Sequence, residues 1–332
     1  MCKRFDVAKI ISNLASALIF DERLRKNARK YIYRILSEEH IAASNFEKFI
    51  ANEMERKYIS NINLDNYNQF YEVKQQKIVW QYWAQGYEYA PKIVQTCMNT
   101  VSYYFKRAGY RVINLNDENI SDYLKINGKF LQMAKENKNG YSYAAYSDLL
   151  RCGLLYNFGG IWIDSTVLIS DVPDILLNND RVFFERSCEV KDRLRYRLYS
   201  DYFRWGTGVR VNWLSSIIKT PKGDILFGML WDILNEYWSN ESYYRHYFLC
   251  HIIFDQIKNR KNILHNYKYI SISDTTPHDL QMILSKNANE SEIENVLKYP
   301  IHKLTYKVDE TVLSDGDNVF NYLINKYKNI II

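Results

Sequence analysis

The chain has 332 residues, 47% of them hydrophobic, enough apolar material for one large globular domain or two smaller ones. Its five cysteines (Cys2, Cys97, Cys152, Cys188, Cys250) are odd in number and scattered, with no C-x-x-C pair, which excludes a disulfide scaffold and a cysteine-based zinc module and points to a reducing cytosol. The formal net charge of +6 falls wholly in residues 1–34, where nine Lys or Arg face three acids; residues 35–332 balance to zero, so nucleic-acid binding is not expected.

No run of 18 uncharged apolar residues occurs, so no membrane span is expected. Residues 1–26 resemble a signal peptide only superficially. Ser12, Asn13 and Ser16 interrupt the apolar part and no A-x-A-like cleavage site follows. Val7, Ile10, Ile11, Leu14, Ala17 and Leu18 recur at i, i+3, i+4, i+7 spacing, which predicts an amphipathic helix in a basic setting. Such a helix either lies on an anionic membrane surface or packs on the protein's own core, and periodicity does not separate the two. Residues 1–70 read as a helical segment, and the remainder, 71–332, as a single α/β domain.

That domain opens with "QQKIVWQYW" at 75–83, β-branched and aromatic as a buried strand demands. Pro91 begins a helix that ends on basic residues and Gly109, a regular stop signal, and "YRVINL" at 110–115 supplies the next strand. Strand, helix, strand in this order predicts an α/β fold with a mostly parallel sheet. A helix near 142–157, strands near 161–164 and 181–186, and helices over 222–238 and 243–258 complete the reading.

The stretch "SDLLRCGLLYNFGGIWIDST" at 147–166 sets three ionisable residues in an apolar run. Buried charges are costly unless paired or facing a wet cleft. Asp148 and Arg151 are i,i+3 neighbours on a helix, a spacing that also suits a structural ion pair. Gly159 and Gly160 turn the chain into the short strand "IWID", whose period of two sets Trp162 and Asp164 on one face. Asp164 then ends a parallel strand, and ligands of open α/β sheets bind outside those carboxyl ends. Residues and spacing alone predict a ligand site with two acids and an arginine.

The stretch also resembles the signature of glycosyltransferase family 32 and its relatives, the capsular polysaccharide synthesis proteins and the catalytic domains of large clostridial glucosylating toxins. Ser147, Asp148 and Arg151 match S-D-x-x-R, Gly159 and Gly160 the paired glycines, and Asp164 the first acid of D-x-D. "KIVWQYWAQGYEYAPKIVQTCMNT", "RHYFLCHIIF", "TPHDLQMIL" and "IHKLTYK" resemble further blocks of the capsular group, in the same order, over about residues 77–307. The resemblance implies a GT-A type nucleotide-sugar-binding domain. It also implies transfer, with retention of anomeric configuration, from a nucleotide-sugar, UDP-linked in expectation, to a glycan or lipid-linked oligosaccharide of a bacterial capsule or surface polysaccharide.

By the same resemblance Asp148 and Arg151 meet the donor sugar and phosphate, Trp80 stacks on the base, and Trp162, Asn212 and Lys303 join the donor site. Charge builds on the departing diphosphate and needs a cation or positive groups to stabilise it. Mn²⁺ or Mg²⁺ on Asp164 is the expected cofactor, with Thr166 standing where the fuller motif has a second acid and His302 as a helper ligand. Lys303 is the alternative, a point charge on the diphosphate. His246 stands where relatives have Asp. The other function classes are a hydrolytic nucleotide-sugar enzyme and a non-catalytic nucleotide-sugar-binding partner in a polysaccharide assembly complex. The expected location is the cytoplasm, peripheral at the inner membrane face through residues 1–34.

Overall fold

The computed structural model describes residues 10–17, 19–21, 24–26, 28–29, 31–32, 39–67, 76–206, 208–260, 264, 267–287, 289–309, 312, 314 and 316–330. The expected boundary at 70/71 lies outside them, as do Val7 and Leu18 of the N-terminal stripe.

Eight strands occur among the described residues: β1 Ile78–Tyr82, β2 Arg111–Leu115, β3 Gly160–Ile163, β4 Val167–Ile169, β5 Val182–Glu185, β6 Trp213–Thr220, β7 Ile270–Ser273 and β8 Ile301–Lys303. The helices are α1 Glu39–Lys57, α2 Lys92–Arg107, α3 Gly128–Glu136, α4 Tyr143–Phe158, α5 Asp174–Leu177, α6 Arg193–Tyr199, α7 Ile225–Asn240, α8 Leu249–Lys258, α9 Asp279–Ile283, α10 Glu290–Leu297 and α11 Val319–Lys326. Six strands form one sheet in the order β2-β1-β3-β6-β5-β7; β4 and β8 form an antiparallel pair beside it. β1 is parallel to β2 and β3, and β5 to β7, while β6 runs against β3 and β5. The sheet is thus the mostly parallel one that the order of elements predicts.

Both faces are covered, as a mostly parallel sheet requires. Trp80, Trp162 and Ile218 sit side by side in the register and pack with Leu149 of α4, Leu230 of α7 and Ile253 of α8. Ile50 and Met54 of α1 join the same core, so that helix is part of the packed body. On the other face Val79, Ile161 and Ile217 meet Val101 and Phe105 of α2. A fully buried side chain of this size contributes about 1.5–3 kcal/mol.

Two glycines set the geometry from which the site grows. Gly159 ends α4 at φ +68 and Gly160 begins β3 at φ +98, in the left-handed region that glycine alone occupies cheaply. A Cβ on Gly159 would lie 2.3 Å from the Lys222 nitrogen, and one on Gly160 2.5 Å from the Ile78 carbonyl oxygen. The reversal between α4 and β3 therefore needs both, and it brings helix and strand residues to one cleft.

Candidate active site

A cleft of about 510 Å³ opens at the carboxyl ends of β1 and β3, a size typical of small-ligand sites. Asp148 and Arg151 reach it from α4, and Asp164 from the end of β3. Arg151 bridges the two acids: Nη1 bonds Asp148 and Nη2 donates to Asp164 Oδ1 at 3.0 Å. Trp162 Nε1 donates to the same oxygen at 2.8 Å, the consequence of a shared strand face. The Arg151 guanidinium lies 5.0 Å from the Trp162 ring centroid, so cation, carboxylate and indole brace each other.

Backbone bonds fix the segment that follows. Asp164 N–H donates to the Ser216 carbonyl at 2.8 Å, and Ser165 Oγ donates to the Tyr82 carbonyl at 2.9 Å, tying the β3 end to β6 and β1. Leu304 N–H donates to the Thr166 carbonyl at 2.9 Å, which draws the end of β8 onto the cleft. Lys303 Nζ lies 3.5 Å from Asp164 Oδ2 and donates to Thr166 Oγ1.

Burial pushes the Asp164 carboxyl upward, yet Arg151, Lys303 and the Trp162 bond outweigh it and hold it well below its ordinary 3.8. Asp148 goes the other way: burial pushes it up to about 6 against the pull of Arg151. Burial also opposes the charge on Arg151, but Asp148 and Asp164 outweigh it and raise its pKa. One carboxyl is firmly ionised and its neighbour lies near neutrality, a separation common at functional sites.

Four expected site residues lie elsewhere. Trp80 is wholly buried, with Nε1 donating to the Gly159 carbonyl at 2.9 Å and its ring against Tyr123 and Phe158; it locks the glycine turn and does not line the cleft. Trp162 is likewise wholly buried and acts on Asp164 from beneath. Asn212 donates to Asp255 Oδ1 at 2.7 Å, which ties it to α8. His302 is wholly buried, 3.1 Å from Ser170 Oγ, and burial lowers its pKa to about 3. Strand alternation turns His302 away wherever Lys303 faces inward.

Other cleft residues went unread as site residues. Tyr82 and Trp83 line the cleft at the end of β1, and Trp83 sits edge-on to Tyr306 at 5.2 Å. The signal was available, since the strand-end rule that picks out Asp164 applies equally to Trp83. Tyr247, 67% exposed, and His251, 6% exposed, reach the cleft from α8 and the loop before it. His251 Nδ1 has no hydrogen-bond partner among the described residues, and burial, with Arg151 nearby, lowers its pKa to about 3. It is a neutral imidazole suited to hydrogen bonding.

The donor set does not fit the expected divalent cation. Among the described residues Asp164 and Asp148 are the only carboxylates lining the cleft, and Asp148 Oδ1 is taken by Arg151. No group of three His, Cys, Asp or Glu side chains able to hold a metal occurs among the described residues. Lys303 already stands between Asp164 and Thr166. Unit charges 4 Å apart at an effective dielectric of 20 interact by about 4 kcal/mol, and a dication doubles that, so the ammonium in this position opposes a metal at Asp164 and Thr166.

A family model described as "Capsular polysaccharide synthesis protein" matches residues 29–323, a span holding every cleft residue named above. The chain belongs to that family. No curated protein matches it. A solved structure titled "PaToxG Glycosyltransferase" is similar over 86% of this chain and 96% of its own, at 11% identity and a TM-score of 0.35, too distant for residue roles to be carried across. Ligands of open α/β sheets bind outside the carboxyl ends of the strands, where this cleft lies.

Proposed function

We propose that this chain is a glycosyltransferase that moves a sugar from a UDP-linked donor to a glycan or lipid-linked oligosaccharide acceptor, with retention, in capsule or surface polysaccharide synthesis. The observation that carries the reading is the Arg151-centred set of Asp148, Asp164 and Lys303, gathered at the carboxyl ends of β1 and β3. Family membership supports it. In this reading the acceptor oxygen bonds the anomeric carbon as the bond to the diphosphate oxygen breaks. The bonding pair leaves with that oxygen, which takes the acceptor's hydroxyl proton. Arg151 and Lys303 stabilise the charge that develops there. Asp148 accepts hydrogen bonds from sugar hydroxyls, and Trp83, in the place expected of Trp80, offers its ring to the base.

Nucleotide release from a panel of nucleotide-sugars, with and without acceptor, tests the reading. Acceptor-dependent release is expected. Release without acceptor would mean a hydrolase, and no release with intact donor binding would mean a non-catalytic partner.

We place the enzyme at an anionic membrane surface. No helix among the described residues is long and apolar enough to cross a membrane. Ile10, Ile11, Leu14 and Ala17 are exposed, while Ser12 and Ser16 are buried, so the described part of the apolar stripe faces outward. With nine basic residues in 1–34 and about 1 kcal/mol per Lys or Arg near an anionic surface, salt-sensitive binding to anionic liposomes is expected. Co-sedimentation of the full chain on anionic and neutral lipid, at low and high salt, checks it; binding that ignores lipid charge would refute it.

A further inference from the structure

We infer that Lys303 takes the electrostatic place of the divalent cation, so that the donor diphosphate is held, and leaves, without metal. This rests on the nucleotide-sugar reading above and concerns what neutralises the leaving group.

Three observations converge on the Lys303 ammonium. Asp164 Oδ1 already accepts from Arg151 at 3.0 Å and from Trp162 at 2.8 Å, which fills its usual two acceptor positions; Oδ2 faces Lys303 at 3.5 Å. The Thr166 hydroxyl, the second oxygen a metal would need here, is bonded to the same ammonium. The third ligand a metal would call upon, His302, is turned to the opposite side of β8 and sits by Ser170. Magnesium demands near-octahedral oxygen coordination, whereas a lysine serves as a compact point charge with three rotatable donors. One of those donors bonds Thr166 Oγ1 and the charge pairs with Asp164, which leaves donor capacity toward a phosphate oxygen in the cleft.

Lys303 is also held in place. Its strand pairs with β4, Val167 against Lys303, and Leu304 N–H is bonded to Thr166 just beyond. The side chain is 20% exposed, so the ammonium is placed by the backbone yet open to the cleft. Lys307 lines the same cleft and adds a second charge within one short segment.

The test is calorimetric titration of UDP, GDP, dTDP and ADP into the full chain, in EDTA and in excess Mn²⁺. Wild-type protein is expected to bind its preferred nucleotide equally well in both buffers. Lys303→Met is expected to weaken that binding by about tenfold to a hundredfold, the worth of a hydrogen bond to a charged group. Lys303→Asp, which sets a second carboxylate beside Asp164, is expected to bind only when Mn²⁺ is present. Wild-type binding that appears or strengthens tenfold or more on adding Mn²⁺ overturns the inference, and this measurement needs no variant to fold. Metal-free binding that Lys303→Met leaves unchanged overturns it too. Failure of the folded wild type to bind any of the four nucleotides in either buffer removes the nucleotide-sugar reading and this inference with it.

Discussion

Two buried arginines hold aspartates in this fold, and their surroundings differ. Arg186 and Asp274 lie apart from solvent, with side-chain exposures of 3% and 0%. The Arg186 Nε donates to both Asp274 oxygens at 3.0 Å, its Nη1 to the Tyr202 and Arg204 carbonyls, and its face is covered by Tyr202, Phe203 and Trp205. Arg151 shares its charge between two acids, its Nε finds no partner among the described residues, and Asp164 remains 23% exposed at the cleft. A saturated pair fastens the chain. A pair at a strand end with one acid open to the cleft has an oxygen left for a ligand, and in the proposed function this contrast separates structural charge from functional charge.

The largest effect expected is on stability. Arg186→Ala leaves Asp274 buried and uncompensated, a change that costs about 3–5 kcal/mol; a denaturant midpoint close to wild type would show that the cage is not structural. Asp164→Asn is expected to act chiefly on catalysis, lowering turnover by about 10² to 10³ in a protein that still folds, with a smaller loss of stability because Arg151 and Lys303 favour the ionised carboxylate. Near-normal turnover in the folded variant would take Asp164 out of the mechanism and erase the contrast.

The smallest effect is on pH dependence. Asp148, raised to about 6 by burial against Arg151, holds its proton more readily in the fold than in the unfolded chain. Its share of stability is present below the ordinary 3.8 and is lost as pH rises through about 6. Asp164, lowered instead, adds stability above its ordinary value that is lost as pH falls through its folded one. If Asp148 binds the donor as a carboxylate, donor affinity falls as pH drops below about 6, by at most about tenfold per pH unit. Asp148→Asn should be weaker at neutral pH and lack that limb. A limb retained in the variant would assign the titration to another group.

Much of the scaffold was legible because local signals and tertiary needs agree. The helix expected near 142–157 is α4, Tyr143–Phe158, and the strand expected near 161–164 is β3, Gly160–Ile163. Pro91 and Gly109 bracket α2, with Pro91 at the N-cap, one position before the first helical residue, its expected place. β6 went unread: all eight of its residues are buried, so the strand shows no alternation, and Ser215, Ser216, Lys219 and Thr220 make "WLSSIIKT" look polar. Only distant partners make that run a central strand, as when Lys219 Nζ donates to the Leu176 carbonyl at 2.6 Å.

The sequence by itself determined which residues could carry the chemistry. A helical i,i+3 spacing, two glycines and a strand of period two place Asp148, Arg151 and Asp164 within reach of one another, because each relation is local to some twenty residues. It did not show that Ile301–Lys303 is a strand, whose period of two sets His302 and Lys303 on opposite faces. Which of them meets Asp164 was decided by tertiary structure alone, through the pairing of β8 with β4 and the contact between Lys303 and Thr166, 137 positions apart. The same holds at β1, where the sheet's position buries Trp80 beneath the glycine turn and leaves Trp83 at the cleft. Period two is a property of the backbone, but the side of a strand that becomes core or cleft is set by what packs against it.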